Sequence, residues 1–298
     1  MKEKNNNENG EELIDLDEEG NPLKEKEIQT PDKSFYYIII LTPIILIIII
    51  LIIYITNKSH ITYLKFKTID DINRKISETI INFVLNNQNA NIGLIMREEL
   101  VDIYNNIIHE YEKGKVSFKN VKFFSFDGFC GLDKKNKNSY NYKLINTFLS
   151  KIDYQEKNLF LINEGGRYIK EYENIVEEYE QLLIHNPIDL QIITFEENGN
   201  IGYNGPDTNF DSLINIIQIP PEKRQMIKNE FGGLDNTPLH IITQGIGSIL
   251  QAKEVIVIGY GKERSNALKI LKNNIFTKKS PVTALIKHWG KVTVYIDE

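Results

Sequence analysis

The side chain best placed to do chemistry is Asp127. It follows Val121–Phe126, a short apolar and aromatic run of strand length, and precedes Gly128 in a turn signal. In open α/β sheets ligands bind beyond the carboxyl ends of the strands, so a carboxylate at that tip is a candidate general base. The plainer reading of Asp127 is a turn residue or N-cap. Cys130, the chain's one cysteine, lies three positions on. No neighbouring His is present to activate it, so a small buried hydrophobe is a simpler reading than a nucleophile. A single cysteine also rules out an intrachain disulfide. The five histidines, His60, His109, His185, His240 and His288, have no metal-ligand spacing with one another or with Cys130, and no metal site is expected. A net charge of -6 over 298 residues gives no electrostatic case for nucleic-acid binding.

The elements that must position Asp127 follow from hydrophobic period. Strands are predicted at Tyr63–Phe66, Ile92–Met96, Val121–Phe126, Leu190–Phe195, Val255–Gly259 and Val292–Ile296. Helices are predicted at Asp70–Asn86, Glu98–Tyr111, Tyr140–Leu149, Tyr168–Ile184 and Ser265–Leu271. The alternation implies an α/β domain over 61–298, with a mostly parallel, Rossmann-like sheet and helices on both faces. The chain is rich in Asn, Ile and Lys, which biased nucleotide composition explains most simply.

Residues 1–34 are polar and acidic, with too few apolar side chains to repay ordering, and are expected to form a disordered tail. Phe35–Ile55 carries no charge over about 20 residues, the length that crosses a bilayer as a helix. Tyr36, Tyr37 and Tyr54 flank it as interfacial aromatics, and Pro43 is tolerated in such helices. A cleaved leader fits less well, because the run is long and no small-residue cleavage site follows. Basic residues favour the C-terminal side of the run, which places the C-terminal domain in the cytoplasm of a single-pass membrane protein.

Several words of the chain resemble the glucosamine-6-phosphate deaminase (isomerase) family. They are VSFK, F-x-x-x-D, GL and SY within Val116–Tyr140, IGYNGP at Ile201–Pro206, TPLHIITQGIGSILQAKEVIVIGYG at Thr237–Gly261, and the closing HWGKVTVYIDE. The likeness runs from about Tyr63 to Glu298. The 6-phosphogluconolactonases, a sister family, share the fold but lack the SY and GVGTLLDA words. The resemblance implies an α/β fold, no cofactor, and a reaction in which a base moves a proton at C2 of an amino-sugar phosphate and ammonia leaves.

Mapped onto that pattern, Asp127 takes the place of the C2 base, while the Glu and Tyr that follow it in the family are Gly128 and Phe129. The family's proton relay, G-x-D-G-H-I-A-F-N-E-P, reads EENGNIGYNGP here. Its Asp, His and Glu become Asn198, Asn200 and Gly205. Amides and glycine move no protons near neutral pH, and the loss of one acid–base group typically costs roughly 10²–10⁴-fold. The phosphate loop G-L-P-T-G-G-T-P reads Gly93-Leu94-Ile95-Met96-Arg97-Glu98-Glu99-Leu100, which places Glu98 and Glu99 where an anion would sit. The family's lid Arg falls near Asn229. Its later Lys falls at Arg264, so a cation is kept, and Arg97 is a second candidate for binding substrate.

These substitutions predict a membrane-anchored member that is catalytically degraded and acts by binding or assembly. Its partners would be a weakened sugar phosphate, the membrane, and a second copy or an active relative. The alternative is an active deaminase with a remodelled site, converting glucosamine 6-phosphate to fructose 6-phosphate and ammonia.

Overall fold

The computed structural model describes residues 41–50, 61–132, 135–166 and 168–298. The chain divides into two compact units, Met1–Thr56 and Asn57–Glu298. In the first, residues 41–50 are helical and exposed. The acidic tail and the two ends of Phe35–Ile55 lie outside the described residues. Among the described residues, no helix is long and apolar enough to cross a membrane.

The second unit holds seven parallel strands: β1 (Ile61–Phe66), β2 (Asn91–Leu94), β3 (Lys122–Ser125), β5 (Leu159–Phe160), β6 (Leu190–Thr194), β9 (Glu254–Ile258) and β10 (Lys291–Asp297). Their order is β1-β10-β9-β6-β2-β3-β5. β6 is buried at every residue, and β9 and β10 nearly so. Continuous burial marks strands covered on both faces, which is why they read as unbroken Ile/Val runs rather than as alternation. From β2 the chain steps outward to β3 and then returns to β6 on the other side. The crevice between the carboxyl ends of β2 and β6 is therefore the switch point where such sheets bind ligands.

Each helix forms for a local reason. In α1 (Ile69–Asn86), Ile72, Ile76, Ile80 and Val84 make one buried stripe, and the Thr68 hydroxyl caps the start by accepting from the Asp71 N–H at 3.1 Å. α1 packs on α2 (Val101–Glu112). The expected start of that helix at Glu98 is corrected: Glu98–Leu100 is a short 3₁₀ turn, and α-geometry begins at Val101. α3 (Tyr140–Thr147) is capped by the Ser139 hydroxyl, which accepts from the Tyr142 N–H. α4 (Ile169–His185), α5 (Pro221–Ile227), α6 (Ile246–Leu250) and α7 (Ser265–Lys272) complete the α-helices of this unit among the described residues.

One layer departs from the sequence expectation. Asp127-Gly128 is not a turn. Asp127–Phe129 forms β4, which pairs antiparallel with β8 (His240–Thr243), and β8 pairs antiparallel with β7 (Asn215–Gln218). This small sheet stands on a second apolar cluster in which Phe129, Leu132, Tyr203, Phe231 and Ile241 are buried together.

Candidate functional site

Asp127 starts β4 where the chain leaves β3, and only 2 % of its surface is exposed. A carboxylate buried this deeply needs a partner, and Arg97 supplies it from the loop after β2. Nη2 of Arg97 donates to Oδ2 of Asp127, and Nη1 donates to Oδ1 at 3.3 Å. The same guanidinium lies 4.5 Å over the Tyr140 ring and donates to the Met96 carbonyl at 2.7 Å. Burial works against the charge on Arg97. The Asp127 carboxylate, Tyr140 and Tyr203 together more than offset this, so the net effect is to hold the guanidinium charged. The space beside Asp127, bounded by Leu94, Met96, Tyr140 and Asn141 among others, is too tight to admit even a water-sized sphere. Ligand pockets are usually about 300 Å³ or more.

Arg264 follows β9 and is also occupied. Nη2 donates to Oε2 of Glu99 at 2.7 Å, and Nη1 donates to the Tyr260 carbonyl at 2.7 Å. The Thr194 hydroxyl, at the end of β6, donates to the other oxygen of Glu99. Glu99 thus lies across the β2/β6 crevice with a cation and a hydroxyl on its carboxylate, the contacts a phosphate oxygen would seek. Glu98 is exposed, so only one of the two expected acids fills the anion position.

The relay segment after β6 bends back on itself. Phe195 bridges Ile201, and the Glu196 N–H donates to the Asn200 carbonyl at 2.9 Å. Gly199 has φ of +83°, and a Cβ there would fall 2.0 Å from the Ser280 hydroxyl. The structure brings Asn200 and Gly205 together, since a Cβ on Gly205 would lie 3.9 Å from Nδ2 of Asn200. Asn198 is exposed, and its side chain accepts the Asn200 N–H at 3.1 Å. Glu196 pairs with Lys223, which lies 4.3 Å over the Tyr203 ring. The Tyr140 and Tyr203 hydroxyls are 3.5 Å apart. Burial raises both above the ordinary tyrosine value, so neither is a base near neutral pH. Cys130 is buried, and burial pushes its thiol up to about 12, with Glu164 adding to the effect.

Sequence reasoning missed Glu164. Its carboxyl packs against Gly128, where an added Cβ would meet Cγ of Glu164 at 2.8 Å. Oε1 accepts the Phe129 N–H at 2.9 Å, and Oε2 accepts the Ser139 hydroxyl. Burial raises the acid to about 7, the Asp127 charge adds to this, and hydrogen bonds from the Ser139 hydroxyl and the Phe129 and Tyr140 N–H groups oppose it. The one available signal was Gly128 itself, a residue too small for its buried place. Ser139 and Tyr140 also gain physical roles: one caps α3 and holds Glu164, the other forms a floor under Arg97 and stacks on Phe129 at 4.6 Å.

No family model matches the chain. A glucosamine-6-phosphate deaminase of Mycoplasma mycoides subsp. mycoides SC is 31 % identical over 229 residues, covering 77 % of this chain and 91 % of that protein. One from Bacillus cereus (strain B4264) is 30 % identical over 235 residues, covering 79 % and 86 %. Among solved structures, a monomeric glucosamine-6-phosphate deaminase superposes with a TM-score of 0.74 at 25 % identity, covering 80 % of this chain and 97 % of that one. The 6-phosphogluconolactonase of Trypanosoma brucei gives a TM-score of 0.63 at 14 % identity over 79 % of this chain and 95 % of its own, a likeness of fold.

Proposed function

The chain belongs to the glucosamine-6-phosphate deaminase family, and on that premise we propose that Asn57–Glu298 is a sugar-phosphate domain whose deaminase chemistry has been lost. The Arg97–Asp127 pair carries this reading. A base must lie within hydrogen-bond reach of the proton it takes, and here both oxygens of the buried carboxylate face a guanidinium, with no room for a substrate beside them. The Glu99 carboxylate on Arg264 and the amide at Asn200 support it from the phosphate side and the relay side. A protein of this kind acts by binding or assembly, and the exposed Met226, Leu239, Phe276 and Trp289 offer apolar contacts for that.

Kinship by itself favours a second reading, a working amino-sugar-phosphate deaminase with a remodelled site. The relatives carry that name, and Asp127 and a cation at Arg264 are retained. In that reading Arg97 swings off Asp127 and Glu99 off Arg264 when substrate arrives. Thermal melting separates the two. The first reading expects no rise in melting temperature with millimolar glucosamine 6-phosphate, and a rise once Glu99→Ser frees Arg264. A clear rise for the unchanged chain supports the second.

The uncharged stretch 35–55 supports a further part of the proposal, that the domain is tethered to a membrane by a single span with its C-terminal side in the cytoplasm.

A further inference from the structure

Glu164 has a second face. Away from Gly128 it lines a cavity of about 570 Å³ beside α3 and β5, within the roughly 300–1,000 Å³ typical of small-molecule sites. Ile145, Leu161 and the Tyr154 ring give the cavity an apolar wall, and Glu156 adds a carboxylate at its rim. Asn141 is 6 % exposed and also lines it. Its Nδ2 donates to the Ile162 carbonyl at 2.7 Å, which fixes the amide orientation and leaves Oδ1 buried without a partner. A buried acceptor with no donor is unfavourable until something supplies one. The polar groups named are one amide oxygen and two carboxyls. Glu164 accepts from the Ser139 hydroxyl and from the Phe129 and Tyr140 N–H groups, fewer than the roughly four bonds its two oxygens can take. Among the described residues that line the cavity, none is a cation.

We propose that this cavity is a binding site for a small organic monocation, a primary amine on an apolar body. Its ammonium would donate to Oδ1 of Asn141 and to the Glu164 carboxylate, and its body would lie on Ile145, Leu161 and Tyr154. The site is separate from the crevice that holds Glu99 and Arg264, yet it communicates with Asp127. Glu164 holds the backbone of β4 through the Phe129 N–H and touches Gly128, the residue after Asp127. Three groups on the surrounding elements face Glu164: the Ser139 hydroxyl, the Cys130 thiol and the Asp127 carboxylate. None carries positive charge, so an incoming ammonium meets no competing cation among them.

Titration calorimetry of the full chain in nanodiscs, with phenethylamine as probe and empty nanodiscs as blank, tests the assignment. Phenethylamine should bind saturably, and at least about fivefold more tightly than 2-phenylethanol or 3-phenylpropionate, because only the amine brings a charged donor. With Glu164 titrating near 7, its affinity should rise about tenfold from pH 6 to pH 8 as the carboxylate forms. Glu164→Gln should remove that rise. Ile145→Trp, which fills the wall without touching the acid, should abolish binding, so a folding defect in one variant leaves the other informative. Equal affinity for the alcohol or the acid, no saturable binding, or amine binding that neither variant changes overturns the proposal.

Discussion

At the residue scale, two ion pairs share the loop after β2. Arg97 and Glu99 are two positions apart in the extended-to-3₁₀ segment after β2, and they face different partners: Asp127 across β3, and Arg264 beyond β9. The Arg97 and Asp127 side chains are 20 % and 1 % exposed, so the pair is screened little by solvent. Removing one partner of such a pair leaves a buried charge uncompensated. Arg97→Met is expected to destabilise the chain by about 3–5 kcal/mol, read from the urea denaturation midpoint, while Arg97→Met with Asp127→Leu recovers most of the loss. A single variant as stable as the wild type would mean that Asp127 does not depend on Arg97. The sequence pointed to Asp127, Arg97, Asn200 and Gly205 because each stands in or beside a motif word. It did not show that Arg97 and Asp127 neutralise each other, since charge pairing between a loop and a strand 30 residues away leaves no local pattern.

At the element scale, the long apolar runs were legible and the short strands were not. β6, β9 and β10 are buried on both faces and stand out as continuous Ile/Val segments. β4, β7 and β8 have three or four residues each, and β5 has two. Their pairing partners are distant in sequence, so propensity alone does not reveal them. β4 was hidden further because Asp-Gly is a turn signal that tertiary pairing with β8 overrides. Glu164 ties the segment 161–166 to β4, through a contact that spans 35 residues, and this link predicts a pH dependence. Its folded-state value lies near 7, above the ordinary 4.5 of the unfolded chain. The native state therefore keeps the proton where the unfolded state has released it. This contribution is fully present below about pH 4.5 and is lost as pH rises through 7, a change on the order of 3 kcal/mol. Glu164→Gln removes the carboxyl, so its stability between pH 5 and 8 should be flatter than that of the wild type. Parallel curves from chemical denaturation would show that Glu164 does not titrate in this window.

At the scale of the whole molecule, the α/β class and the mostly parallel sheet were readable from the alternation of elements, and the family from several words in order. The run Phe35–Ile55 leads to a prediction of its own. A segment with no charge over bilayer length stays with the lipid when peripheral proteins are stripped. The full chain is expected to remain in the pellet after alkaline carbonate extraction, and release into the supernatant would dismiss the anchor. Ammonia release decides whether this deaminase fold still carries deaminase chemistry. The full chain, given saturating glucosamine 6-phosphate at neutral pH, is expected to liberate ammonia at the rate of the Asp127→Asn variant, which is to say background. Robust release by the wild type that Asp127→Asn abolishes would contradict the account and make Asp127 a working base.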